Sequence, residues 1–287
     1  MDLQLKMITF ALFLLLVSSS ATAQFGVFDI SKYGAVPNGD ITQALTNAWS
    51  DACASTTPGK VVISRGIYNL KQIEFKGPCM ALLRFKLMEQ FKHHKTQNGR
   101  GANAWTQNNC AKNKSCKKLS MNFGFGFLNN TIVRDITSKD NKYFHVSVLG
   151  CNNITFTNFK IVAPTTSPNT DGIHIGRSTH VNIDNTNIAT GDDCISLGDG
   201  SKQITVLNVT CGPGHGTSVG SLGKYPNEER VEDFFVRNCI LNNSDNGVRI
   251  KTWPDTPETI TVTGMHFKDI KMINVKNPII IDQEYCP

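Results

Sequence analysis

Short apolar stretches of alternating polarity, each closed by Asn, Asp or Gly, recur along most of this chain. From Phe127 onward they cover residues 132–133, 146–148, 154–156, 181–183, 204–206, 235–236, 260–262 and 279–281. Alternation over so few residues marks strands with one buried face. The starts at 154, 181, 204, 235 and 260 lie 27, 23, 31 and 25 residues apart. A strand-only repeat of that length predicts an all-β solenoid, a right-handed parallel β-helix in which each coil buries its apolar residues against the next.

Upstream, residues 28–40 (FDISKYGAVPNGD) read as a short strand and a turn marked by Pro37, Asn38 and Gly39. Thr42 can cap a helix on which Leu45, Ala48, Trp49 and Ala52 share one face. Such a helix would cover an open end of the solenoid. Strands resume at 60–63 and over 66–75. Residues 81–98 (ALLRFKLMEQFKHHKTQN) break the pattern, because Leu83, Leu87 and Phe91 fall on helical spacing. They predict an aberrant insert that stays outside the sheet ladder.

Residues 1–23 read as a secretory signal peptide, with Lys6 ahead of an apolar run over 8–17 and Ala21, Thr22 and Ala23 before Gln24. That run is shorter than the roughly 20 residues a bilayer-spanning helix needs, and no later stretch qualifies. Residues 24–287 then form one large domain, secreted and oxidised. Sequons at Asn113, Asn129, Asn153, Asn208 and Asn242 agree with that route. Nine cysteines leave at least one without an intrachain partner. The expected pairs are Cys110 with Cys116, Cys194 with Cys211 and Cys53 with Cys79, and Cys286 is the expected odd one. The net charge of +6 is local: residues 81–118 hold nine Lys/Arg and one Glu, or +8, so the rest sums to −2. With no recognisable binding motif in that stretch, a nucleic-acid partner is not expected.

The residues that carry chemistry follow nearly one spacing. They are Asp171 in SPNTDGIHIG, Asp192 and Asp193 in GDDCISLGDG, His215 in GPGHGTSVGSLG, and Arg249 with Lys251 in NGVRIKTW; the steps are 21 or 22, 22 or 23, and then 34. Residues one repeat apart lie about 4.8 Å apart on neighbouring strands, so this spacing stacks them into one patch. Arg249 and Lys251 point to one face while Val248 and Ile250 point to the core. Two cations so close repel unless they share an anion. Neighbouring carboxylates raise one another's pKa, as a general acid requires. Each feature has a plainer reading, a solvated or ion-paired cation or an ordinary acidic turn; their placement on one column favours acid chemistry on an anionic substrate. His215 lies between Gly214 and Gly216, which permits close approach of a ligand, whereas His174 reads as an alternating strand residue. A calcium ion on the aspartates would be opposed by Arg249, Lys251 and His215, so neither a metal nor a cofactor is expected.

Together the four blocks resemble the signature blocks of the polygalacturonases, glycoside hydrolase family 28, in the wording of their plant and pollen branch. The resemblance runs over about 28–79 and again over about 99–287. It implies a right-handed parallel β-helix acting as a monomer in the cell wall, which hydrolyses the α-1,4-galacturonan of pectin with inversion. By the same resemblance, Asp192 is the general acid, Asp171 and Asp193 activate the attacking water, and His215 keeps the acid correctly protonated. Arg249, Lys251, Asn169 and Tyr285 would hold the substrate. The family also carries a strand-rich coil between 79 and 99 and further coils beyond Pro287 that this sequence lacks. That leaves two other readings: a β-helix that binds pectin without cleaving it, and a pectate lyase, which shares the architecture but needs calcium and leaves an unsaturated product.

Overall fold

The computed structural model describes residues 25–64, 66–87, 96–98, 101–107 and 119–285. Parallel strands wind into a right-handed β-helix with three faces. One face stacks Gly59–Ile63, Leu83–Leu87, Asn129–Arg134, Asn152–Thr157, Thr179–Asp184, Lys202–Leu207 and the long strand Val231–Asn242, and Val262–Ile273 follows as its last coil. A second face of two- and three-residue strands, among them Thr137–Lys139, Lys160–Val162 and Asn187–Ala189, joins the first through the far half of Val231–Asn242. The third stacks Ile73–Lys76, Phe123–Gly126, Val146–Leu149, Ile173–Gly176, Ile195–Leu197, Thr217–Leu222, Asn246–Thr252 and Asn277–Asp282. Its outward residues build the site described below.

Alternation explains the packing. Val146 and Val148, Ile173 and Ile175, and Ile195 and Leu197 turn inward and are fully buried, while the residues between them turn out. A string of aromatic rings runs down the core: Trp49 to Phe75 at 4.7 Å, Phe75 to Phe125 at 5.2 Å, Phe125 to Phe156 at 5.3 Å and Phe156 to Phe159 at 5.7 Å. Trp49 belongs to helix α1, Thr42–Ala54, which lays the predicted apolar face of Leu45, Ala48, Trp49 and Ala52 on the first coils. Corners between strands are turned by asparagines in the left-handed region, including Asn153, Asn158, Asn185, Asn208, Asn238 and Asn274. Asparagine tolerates that region better than other non-glycine residues. Their amides bond from coil to coil, Asn153 to Asn130 at 2.8 Å, Asn208 to Asn185 at 3.2 Å and Asn238 to Asn208 at 2.6 Å. Two sequon asparagines, Asn153 and Asn208, are therefore rungs of such ladders.

Four expectations need correction. The stretch expected to lie outside the ladder contributes two strands to it. Leu83–Leu87 pairs in parallel with Gly59–Ile63 and Asn129–Arg134, Leu83 is fully buried, and Thr96–Asn98 pairs with Tyr68–Asn69 and Thr137–Lys139. Phe91 lies outside the described residues. Second, Ile204 pairs with Phe234, not Phe235, and Phe234 with Met265, not Ile260. Phe235 thus points outward and stacks on His266 at 4.7 Å. Third, Thr42 begins α1 without capping it; Asp40 Oδ1 instead accepts from the Thr42 amide at 3.0 Å and its hydroxyl at 2.6 Å. Fourth, a short helix α2, Gly101–Gln107, appears where no helix was expected.

Cys53 bonds to Cys79 and Cys194 to Cys211, while Cys151 and Cys239 are buried free thiols. Cys110, Cys116, Cys286 and the expected signal peptide lie outside the described residues. Among those described, no helix is long and apolar enough to cross a membrane.

Candidate active site

The register of the third face determines which side chains meet. Ile173, Ile195 and Thr217 are parallel partners on successive strands, so the residues two places earlier, Asp171, Asp193 and His215, form one column across three coils. His174, Ser196, Ser218 and Arg249 are partners in the next outward column. Backbone bonds hold the first column together, from the Gly172 amide to the Asp193 carbonyl at 2.9 Å and from the His215 amide to the Asp192 carbonyl at 2.9 Å. The Cys194–Cys211 disulfide anchors the turn directly after Asp193.

Asp193 is the centre of the charge arrangement. Its side chain is 3 % exposed and takes three donors: the Ser218 hydroxyl at 2.7 Å and Arg249 Nη2 at 3.0 Å on Oδ1, and Lys251 Nζ at 2.9 Å on Oδ2. The anion that Arg249 and Lys251 share is therefore a residue of the protein itself. Two cations against one carboxylate leave one positive charge over.

Asp171 and Asp192 diverge from each other. Burial, reinforced by the charges of Asp192 and Asp193, raises the Asp171 pKa well above the usual carboxylate range, although Ser196 donates to its Oδ2 at 2.7 Å. Burial also pushes Asp192 upward. However, the hydrogen bond and charge of His215, with the Asp193 amide at 2.8 Å on Oδ1, outweigh it and the net shift is downward. The expectation that the aspartates would all raise one another thus holds for Asp171 and fails for Asp192, because His215 stands 3.1 Å from its Oδ1. The same bond raises His215 above its ordinary value against the opposing effect of burial.

Gly214 and Gly216 leave no free space beside His215. A Cβ on Gly214 would meet the Asp192 carbonyl at 2.6 Å, and one on Gly216 the Asn246 carbonyl at 2.1 Å. The close approach they permit is that of neighbouring coils, not of a ligand.

A cleft of about 250 Å³ opens over these groups, lined by the three aspartates, His174, Ser196, Gly220, Ser221 and Lys251, and by Asn169 and Tyr285 at its walls. The Tyr285 ring lies 5.0 Å from the Lys251 ammonium and 5.8 Å from the Arg249 guanidinium. Each of the eight residues singled out in the sequence is thus in this cleft or bonded to a residue that lines it. A larger hollow of about 410 Å³, between Lys202 and Thr261, contains none of them.

Sequence reasoning missed several contributors. His174 is more than a strand residue: its Nδ1 meets the Ser196 hydroxyl at 2.9 Å, and burial lowers its pKa to about 4, so it stands neutral. Tyr143 and Phe144 stack at 4.2 Å on the cleft wall, and Phe144 reaches the His174 ring at 4.9 Å. Projecting the register one strand back from Asp171 would have found Phe144, since Val146 pairs with Ile173. Asp245 was also missed; its Oδ2 lies 3.6 Å from His215 Nε2 and its Oδ1 bonds Lys276 at 2.5 Å. Asp192, Asp193 and His215 converge closely enough to hold a metal ion on spacing alone. With both Asp193 oxygens bonded to cations, the set does not suit one.

Comparison with known proteins agrees with this geometry. The family described as Glycosyl hydrolases family 28 matches residues 34–287. A polygalacturonase of Medicago sativa is 54 % identical over 95 % of this chain and 72 % of its own length. An exopolygalacturonase of Platanus acerifolia is 46 % identical over 91 % of this chain and 76 % of its own. Among solved structures, the polygalacturonase of Erwinia carotovora ssp. carotovora superposes with a TM-score of 0.64 at 20 % identity, over 94 % of this chain and 84 % of that one, which establishes the shared fold.

Proposed function

The chain belongs to family 28 of the glycosyl hydrolases and is a pectin-degrading hydrolase; we propose that it is a secreted polygalacturonase that cuts α-1,4-galacturonosyl bonds in the cell wall with inversion of configuration. One observation carries the reading. A carboxylate matched by two cations, Asp193, stands beside a pair, Asp171 and Asp192, whose surroundings drive their pKa values apart.

We assign the surplus positive charge of Arg249 and Lys251 to the carboxylate of a galacturonate unit, with Tyr285 and Asn169 as the walls that position it. His215 and the Asp193 amide favour the charged form of Asp192, so it becomes an acid only when a proton reaches it, while the raised pKa of Asp171 makes its carboxylate the stronger base. His215 supplies the route: transfer across the 3.1 Å contact leaves a neutral imidazole and a neutral carboxylic acid. Asp192 then protonates the glycosidic oxygen, the carbon–oxygen bond breaks, and water attacks the opposite face. A carboxylate of Asp171 or Asp193 takes the water's proton. An inverting cut needs acid and base roughly 6.5–9.5 Å apart, with the water between base and sugar.

The test is release of reducing ends from polygalacturonate, with the anomer followed by NMR. Inversion of an α linkage should give the β product first. Asp192→Asn should cut turnover by roughly 10²–10⁴-fold and leave substrate binding intact, since it removes the acid and one repelling charge. An unsaturated product absorbing in the ultraviolet would mean a lyase, and binding without release would mean a pectin-binding protein.

A further inference from the structure

We propose that Lys224 and Tyr225 form a second uronate subsite, taking the carboxylate and the ring face of an acidic sugar unit next to the one held at Arg249 and Lys251; the inference rests on the reading of the cleft as a galacturonate site.

The cations nearest the carboxylates are already engaged: Arg249 and Lys251 on Asp193, and Lys276 on Asp245. Lys224 has no carboxylate partner among the described residues. Its ammonium lies instead over the Trp253 ring, 4.3 Å from the centroid. Such a contact engages the charge through the ring face and uses none of the ammonium's three N–H donors, which stay available to an incoming anion. Trp253 is not isolated from the cleft. Its ring meets Tyr285 edge-on at 6.4 Å, and Tyr285 lines the cleft beneath Lys251. An aromatic shelf therefore leads from the cleft to Lys224 without a break.

The shelf is held in place from within. Glu228 accepts the backbone amides of Gly223 at 2.6 Å, Lys224 at 3.0 Å and Tyr225 at 2.9 Å. That spends the Glu228 carboxylate on backbone and fixes the turn from which both side chains project. Tyr225 is 63 % exposed. A phenol held out in water on a pinned turn, next to an uncommitted ammonium, offers what a uronic acid unit requires: a flat apolar surface for the ring and a cation for the carboxylate.

Rates on galacturonate oligomers of increasing length test the proposal. Lys224→Ala should lower kcat/KM about tenfold, through KM, on oligomers long enough to reach the shelf, as expected for losing one hydrogen bond to a charged group. It should leave the shortest oligomer that is cleaved unaffected, and raised salt should narrow the difference. Tyr225→Ala should show the same dependence on length, with circular dichroism reporting an intact fold. An equal loss at every length, or none on long oligomers, overturns the subsite. If the wild-type chain cleaves no oligomer, the hydrolase reading fails. The shelf is then judged by equilibrium binding: Lys224→Ala must weaken tetragalacturonate about tenfold and leave galacturonic acid unchanged, and equal binding of tetragalacturonate would overturn it.

Discussion

Replacing Lys251 with methionine should cost stability before it costs substrate affinity. The Lys251 side chain is 6 % exposed and its ammonium stands 2.9 Å from an Asp193 oxygen. At an effective dielectric of about 20, two unit charges at that distance attract by about 6 kcal/mol. Methionine also removes the several kcal/mol that burying an ammonium costs. What remains is the penalty of a buried carboxylate with one cation where it had two, about 3 kcal/mol, at the low end for breaking a buried pair because Arg249 and the Ser218 hydroxyl stay bonded. For a chain of this size that corresponds to a melting temperature lower by roughly 6–12 °C. Thermal melting followed by circular dichroism reads it directly. Asp193→Asn combined with Lys251→Met should recover at least about 1 kcal/mol relative to the sum of the single changes, since both partners of one contact go together and Arg249 is the one charge left without its partner, where Asp193→Asn alone leaves two. A shift below about 2 °C for Lys251→Met, or strict additivity in the double variant, would refute the claim that Asp193 and Lys251 form a buried, coupled pair.

Stability should peak in mild acid. Asp171 and His215 both have folded-state pKa values above their ordinary ones, so their contributions are complete below about 3.8 and 6.5 respectively and fade as pH rises past those values. Asp192 is shifted the other way and loses its contribution as pH falls below about 3.8. Melting scans of the wild type and Asp171→Asn should show a decline toward alkaline pH that the variant flattens; an unchanged slope would remove Asp171 as its source. Asp245→Asn withdraws a carboxylate 3.6 Å from His215 and should move the alkaline limb of the activity profile to lower pH, whereas Lys276→Ala frees Asp245 and should move it upward. Opposing the disulfide, Cys194→Ser with Cys211→Ser should cost about 3 kcal/mol for a 17-residue separation, measured by urea unfolding.

How much could be read in advance depended on which interactions are local. The column of Asp171, Asp193 and His215 was legible because a coil repeat converts sequence spacing into spatial neighbourhood. Residues 83–87 were not, because LRFKL satisfies two periods at once: Leu83 and Leu87 fit a helix, while Leu83, Phe85 and Leu87 fit a strand. What settles it is pairing with Gly59–Ile63 and Asn129–Arg134, and neither partner is a sequence neighbour. The same holds for charge. Asp192 and Asp193 are adjacent in the chain and suggested mutual repulsion, yet one is held by His215 and the other by two cations 56 and 58 residues away. Phe235 was misplaced by one residue because Phe234 and Phe235 are both apolar, so composition alone does not say which one turns inward.

The corners of this solenoid separate what must stay constant from what can vary. Asp171 to Asp193 and Asp193 to His215 are each 22 residues, but Thr217 to Val248, its partner on the next coil, is 31. Most of that surplus is taken up by the turn over 223–230, between Thr217–Leu222 and Val231–Asn242. The turn lengthens without displacing Arg249 or Lys251, because strand pairing re-establishes the column as soon as the chain re-enters the coil. The reacting groups are therefore insulated from changes of loop length. An outer turn can be extended, shortened or exchanged to suit a different stretch of polysaccharide while the bond-breaking groups keep their places.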